Sequence, residues 1–109
     1  MKEKDFLRAV VHRAKAHGWK TAHFGSTVRV VKRRDGNGYQ TIPDKGATGF
    51  PDLVLTREKR LVFAELKAGR GTMAESQYEW FNALKDAGAE IYIWREKHDW
   101  PGNIEKVLR

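Results

Sequence analysis

The chain has 109 residues, 40% hydrophobic and 32% charged, which suits one globular domain with a modest core spanning 1–109 and argues against disorder. Without cysteine there is neither a disulfide framework nor a thiolate zinc site, the four histidines sit singly, and no apolar run approaches the ~18 residues of a membrane span. Lysine and arginine outnumber aspartate and glutamate by 21 to 14, a net charge of +7 that favours a polyanion such as nucleic acid, with plain solubility as the competing explanation.

The opening "MKEKDFLRAV" reads as a charged helix start rather than a signal sequence, so an intracellular, cytoplasmic setting without membrane contact is expected. Residues 2–17 predict an amphipathic helix, because Phe6, Leu7, Val10, Val11 and Ala14 recur at helical spacing and Gly18 offers a left-handed stop. "WKTAHF", residues 19–24, predicts a short strand. Between Gly25 and Gly49, glycines at 25, 36, 38, 46 and 49 and Pro43 interrupt any long element, so a basic, partly mobile loop is expected, although "TVRVVKR" has strand character. Across residues 20–49, Lys20, Arg29, Lys32, Arg33, Arg34 and Lys45 face only Asp35 and Asp44, which suggests phosphate contacts or else a solvated face.

"DLVLT" and "LVFAELK" predict two strands joined by the charged turn "REKR". "GRGT" then breaks the chain before a helix over about 74–87, which Gly88 ends. Both Thr72 with Glu75 and Ser76 with Glu79 have capping-box spacing at its start. "EIYIW" predicts a fourth strand, and "DWPGNIEKVLR" a terminal helix opening after Pro101.

Chemistry enters at the hairpin. Around the turn 57–60, residues whose numbers sum to 117 face each other, which sets Val54 against Phe63 and Asp52 against Glu65. Strand periodicity puts Glu65 and Lys67 on one face and Val62, Ala64 and Leu66 on the other. Two carboxylates ~5 Å apart repel unless a cation lies between them. Such a pair with a backbone carbonyl is a hard-oxygen site for Mg²⁺ or Mn²⁺, and a neighbouring lysine can hold the attacking water or neutralise a phosphate. The plainer alternative is a surface salt bridge from Lys67 to Asp52 and Glu65. Gln77 falls on the apolar stripe with Trp80, Phe81 and Leu84, so it either reaches this site or sits half-exposed in the first turn.

"GFPDLVL", a turn, "FAELKAGRGTMAESQYEWFNALKDAGAEIYIWRE" and "DW" together resemble the virus-type replication-repair nuclease (VRR-NUC) branch of the PD-(D/E)XK nucleases, in its small stand-alone, phage-type form. The likeness runs from about Gly49 to Trp100, and "HGWKTAHFGS" also fits. The resemblance implies an α/β fold with a restriction-endonuclease-like αβββαβ core, a mixed central sheet flanked by helices and, here, a short C-terminal helix. It implies a metal-dependent, structure-selective deoxyribonuclease acting on branched DNA in replication, recombination or repair, working as a homodimer in the manner of junction resolvases. For a phage-encoded member the setting is the host cytoplasm. Carried over by motif, Asp52 and Glu65 bind Mg²⁺ or Mn²⁺ with the Leu66 carbonyl, Lys67 is the catalytic lysine and Gln77 the additional motif residue. Glu3 is a further candidate ligand. His23, Ser26 and Arg70 join the basic residues named above as candidate DNA contacts. Trp80, Trp94 and Trp100 are candidates for a dimer interface, against the stronger expectation that all three are core. A non-catalytic DNA-binding module, and an exonuclease or nickase on flaps or single strands, are the competing expectations.

Overall fold

In the computed structural model, which describes residues 1–24, 28–43 and 48–109, the first helix, α1, spans Glu3–Ala16. Its stripe of Phe6, Val10 and Ala14 is buried, with acids in the first turn and bases in the last, so the charges complement the helix dipole at both ends. Gly18 stops it at a φ of +83°. β1 (Lys20–His23), β2 (Val28–Lys32), β3 (Tyr39–Pro43), β4 (Leu53–Arg57) and β5 (Arg60–Lys67) follow. Then come α2 (Glu75–Asp86), β6 (Glu90–Arg95), the single turn α3 (Glu96–Asp99) and α4 (Gly102–Leu108).

The main sheet has the order β1-β4-β5-β6. Its first three strands are antiparallel neighbours, whereas β5 and β6 run parallel, joined by α2 as the crossover such a pair requires. The architecture is therefore α/β, an αβββαβ core around a mixed sheet with a C-terminal helix, and the β2–β3 hairpin is inserted between the first two strands of the core. Among the described residues, no helix is long and apolar enough to cross a membrane.

Strand alternation sorts the two faces of this sheet. Leu53, Leu55, Val62, Ala64, Leu66 and Trp94 point to one side, where they meet Phe6, Val10 and Ala14 of α1, Trp19, and Ile104 and Leu108 of α4 in the buried core. Burying each such large side chain contributes about 1.5–3 kcal/mol, so this face carries most of the stability. The opposite face lies under α2, none of whose residues is fully buried. Trp94 is core, Trp100 packs against the core with its ring edge-on to Phe6, and Trp80 turns inward onto Phe50. The core expectation thus describes these tryptophans better than the interface one.

The β4–β5 register is the expected one, with Val54 opposite Phe63 and Thr56 opposite Leu61. The turn is tighter than expected: Arg57 pairs with Arg60, and only Glu58, at a φ of 57°, and Lys59 form the loop. The two arginines are held structurally. Their guanidinium groups lie 4.6 and 5.0 Å from the centre of the Trp19 ring, and they donate to the carbonyls of Leu108 and Val107 at the end of α4. Trp19 Nε1 donates to the Leu108 carbonyl as well, so the carbonyls ending the last helix are capped by side chains from three residues.

Two further expectations change. Within the segment 25–49, expected to be a loop, β2 and β3 pair antiparallel, with Val30 opposite Thr41 and Lys32 opposite Tyr39. The glycines at 36 and 38 mark the tip of this hairpin, where both take positive φ, rather than an absence of strands. At the start of α2 neither Thr72 nor Ser76 caps the helix; the N-cap position is Ala74, and its N–H is bound by the Gln77 side chain.

Candidate active site

The site is assembled at the end of the sheet where β4 begins and β5 ends, and the four residues "GFPD" show how. Gly49, at a φ of +86°, lies against the first turn of α2 so closely that a Cβ would come within 2.4 Å of the Ser76 carbonyl carbon. Phe50 is the hub of an aromatic cluster, edge-on to Phe24, Phe63 and Trp80 at centroid distances of 5.6, 6.0 and 5.0 Å. Pro51 is buried. Asp52 then sits just ahead of β4, where its Oδ2 accepts a 2.8 Å hydrogen bond from the Leu66 N–H and its carbonyl accepts one of 2.8 Å from the Phe24 N–H. The carboxylate closes the β4–β5 ladder where the backbone of β4 gives out.

Gly49→Ala is expected to destabilise the protein by on the order of 2–4 kcal/mol, since both the positive φ and the close approach of α2 oppose a methyl group. Thermal unfolding measures the loss; an unchanged melting temperature would show that α2 can withdraw without cost.

Glu65 is 2% exposed, the sole buried charged or polar residue among those described. Its carboxyl is raised to about 8, first by burial, next by a hydrogen bond and repulsion from Asp52, with Lys67 opposing the shift and Glu3 adding a small further push. The two acids are therefore side by side, as the register demanded, and burial beside Asp52 favours the neutral form of Glu65.

Gln77 joins this pair to the lysine. Its Nε2 donates to Glu65 Oε1 at 2.8 Å, and its Oε1 accepts from Lys67 Nζ at 2.9 Å and from the Ala74 N–H at 2.8 Å. Two donors on one oxygen fix which way the amide points. Lys67 Nζ also lies 3.7 Å from Glu65 Oε1. Gln77 is half-buried in the first turn of α2 and reaches the site as well: its side chain ties that turn to Glu65 and Lys67 of β5. The salt-bridge alternative for Lys67 holds in part: it pairs with Glu65, but among the described residues no Asp52 bridge accompanies it, its side chain is only 12% exposed, and its closest partner is the amide.

The remaining candidates divide by position. Glu3 is exposed at the first turn of α1, near enough for its charge to reach Glu65. Among the described residues no group of three or more His, Cys, Asp or Glu is arranged to hold a metal, so Glu3 does not close a three-acid shell with Asp52 and Glu65. His23 is exposed and pairs with Leu53, beside Asp52, whereas Lys20 pairs with Thr56 at the far end of β1. Arg70 is exposed in the loop after β5, and Lys32, Arg33 and Arg34 are exposed at the hairpin tip. Ser26, Lys45 and the side chain of Arg29 lie outside the described residues.

Arg95 was missed by sequence reasoning. It pairs with Lys67 across the parallel β5–β6 ladder, and its Nη1 donates 2.9 Å to the Gly71 carbonyl, bracing the loop that leads from the lysine into α2. The signal was its place at the end of the strand following the helix, but only the β5–β6 register gives that place meaning.

Two carboxylates, a lysine and an amide that links them form a polar cluster at one end of an otherwise apolar sheet. The donor set fits a hard divalent cation: carboxylate oxygens and a nearby carbonyl, with the remaining positions left to water and substrate oxygen. Comparison with known proteins returned no matching family model, no matching curated protein and no matching solved structure.

Proposed function

We propose that the chain is a Mg²⁺- or Mn²⁺-dependent deoxyribonuclease of the VRR-NUC kind, a structure-selective endonuclease that hydrolyses phosphodiester bonds in branched DNA during replication, recombination or repair. The observation that carries this is the Gln77 amide bridging Lys67 to a buried Glu65 that lies beside Asp52. A structural role alone gives no reason to bury Glu65 beside a second carboxylate, which costs several kcal/mol.

Asp52, Glu65 and the Leu66 carbonyl would hold the cation. When bound, it would polarise the scissile phosphate and lower the pKa of a water. Lys67, held in place by Gln77, neutralises charge growing on the phosphate oxygens and orients the water by hydrogen bonding. His23 and Arg70, exposed at this end of the sheet and in the adjoining loop, would meet the DNA backbone. A homodimer completes the proposal, because a symmetric four-way junction needs two cuts and each chain supplies one site. Phe24 and Tyr78, 41% and 48% exposed, offer apolar surface for it.

The test is cleavage of end-labelled four-way junction, flap, linear duplex and single-stranded DNA in Mg²⁺, Mn²⁺ or EDTA, by wild type and Lys67→Ala. Paired incisions in the junction that need metal and vanish in the variant are expected. Cutting confined to flaps or single strands would shift the reading to an exonuclease or nickase. Tight junction binding with no cutting by either protein would leave a binding module and remove the catalytic reading.

A further inference from the structure

We propose that the β2–β3 hairpin is an arm that enters the major groove of the DNA duplex beside the site, with Val30, Lys32, Tyr39 and Thr41 on its groove-facing side and Arg33 and Arg34 at its tip. The choice of DNA as the polyanion rests on the nuclease reading; the arm itself rests on its own geometry.

The pairing of Val30 with Thr41 and of Lys32 with Tyr39 puts these four side chains on one face of the ribbon. That face is open: Val30 is 67% and Tyr39 71% exposed, while Val31 and Ile42, on the opposite face, are half-buried. A solvated hairpin has no need to display a valine and a tyrosine next to three consecutive cations. A DNA groove uses both kinds of group, because methyl-bearing side chains meet thymine methyls, hydroxyl and ammonium groups bond base edges, and guanidinium groups reach phosphates.

The dimensions agree. Two strands ~4.8 Å apart with their side chains make a ribbon about 10 Å across, which fits a major groove ~12 Å wide and not a minor groove of ~6 Å. Five residues per strand give a reach of about 17 Å. Consistent with a protruding arm, the radius of gyration is 15.7 Å, against ~13 Å for a compact chain of this length. The tip is ordered before any partner arrives: the Asp35 carboxylate accepts from the Asn37 N–H at 2.8 Å, and the Arg33 N–H donates to the Gly38 carbonyl at 2.9 Å. These bonds reduce the backbone entropy to be lost on docking, leaving that of the side chains.

The arm's origin ties it to the site. The Phe24 N–H binds the carbonyl of Asp52, and β2 begins four residues later, so the base of the ribbon is tethered within ~14 Å of that bond. Duplex engaged by the arm would thus lie within reach of the carboxylates, at most the length of tether and ribbon away.

Two variants test this in EDTA, where cutting plays no part: Arg33→Glu with Arg34→Glu, and Val30→Ser with Tyr39→Ser. All four positions are exposed, and circular dichroism confirms that the fold survives. Fluorescence anisotropy follows binding to a 20-base-pair duplex, to the same single strand, and to a duplex whose major groove is filled by glucosylated hydroxymethylcytosine. Both variants are expected to weaken duplex binding about tenfold or more and single-strand binding under about threefold. The charge variant also lowers the slope of log affinity against log salt, by ~0.9 for each phosphate that is no longer neutralised. The filled groove weakens wild type, whereas netropsin in the minor groove does not.

Equal weakening on duplex and single strand, competition by netropsin, or indifference to the filled groove would each overturn the proposal. So would unchanged DNA affinity with a loss of self-association, which would assign the arm to a second copy of the chain. A wild type that binds duplex through the arm but never cuts leaves the arm standing and removes the nuclease. One that cuts, and whose arm variants bind as tightly, removes the arm alone.

Discussion

Glu65→Gln is expected to abolish metal-dependent cleavage, by about 10³-fold or more, and at the same time to make the metal-free protein more stable above neutral pH. The second effect follows from the direction of the pKa shift. In the metal-free folded chain Glu65 keeps its proton up to about 8, whereas the unfolded chain releases it near 4.5. Below the lower value both states are protonated and the group adds no pH dependence. Between the two the unfolded state binds fewer protons, so stability falls as pH rises, by about 1.4 kcal/mol per unit, and above the upper value the full cost of a few kcal/mol is in force.

Glutamine removes that cost without leaving a gap, since its oxygen can still accept from Gln77 and its amide hydrogens can donate to Asp52. Melting curves in EDTA should show the variant gaining several degrees at pH 8 and little at pH 4.5. Added Mg²⁺ should raise the melting temperature of wild type and not of the variant. Retained cleavage would remove Glu65 from the site, and identical pH–stability curves would show that burying Glu65 beside Asp52 carries no cost.

The second large effect is expected at Gln77, where the nature of the substituent matters more than its size. Gln77→Glu keeps the oxygen that accepts from Lys67 and Ala74, so the helix start and the lysine hydrogen bond persist. It replaces the Nε2–H donated to Glu65 at 2.8 Å by a carboxylate oxygen. Repulsion then holds a further proton at the site, and cleavage at neutral pH falls by about 10²-fold with the rate profile displaced to higher pH. Gln77→Ala instead removes the cap as well, costing about 1 kcal/mol of stability, and frees Lys67. A pH–rate profile for Gln77→Glu that superimposes on wild type would reduce Gln77 to a helix cap.

The legible part of the fold is the part that periodicity governs. The helical stripe of Phe6, Val10 and Ala14, the order of the core strands and the facing of Val54 with Phe63 all rest on spacing within short stretches, where side-chain direction is set by backbone repeat. The β2–β3 hairpin is harder to read, because its strands are short, broken by charged and polar residues and separated by a glycine-bearing tip. Those same glycines, read locally, argue for a loop. The turn at Glu58 differs from expectation by one residue pair without harm, since moving a symmetric turn inward leaves the register intact.

The sequence by itself determined which charged groups are candidates for the site and that Glu65 and Lys67 share a strand face, because charge and strand period are local properties. It also brought Asp52 opposite Glu65, through a hairpin short enough to count. Only the tertiary structure decided that Gln77 would serve at once as helix cap and as the link between Lys67 and Glu65. That depends on α2 crossing to the parallel strand β6 and on Gly49 letting its first turn approach. The burial of Glu65 was decided there too, since a carboxyl's surroundings come from elements far apart in the chain, and no run of neighbouring residues specifies how closely they meet.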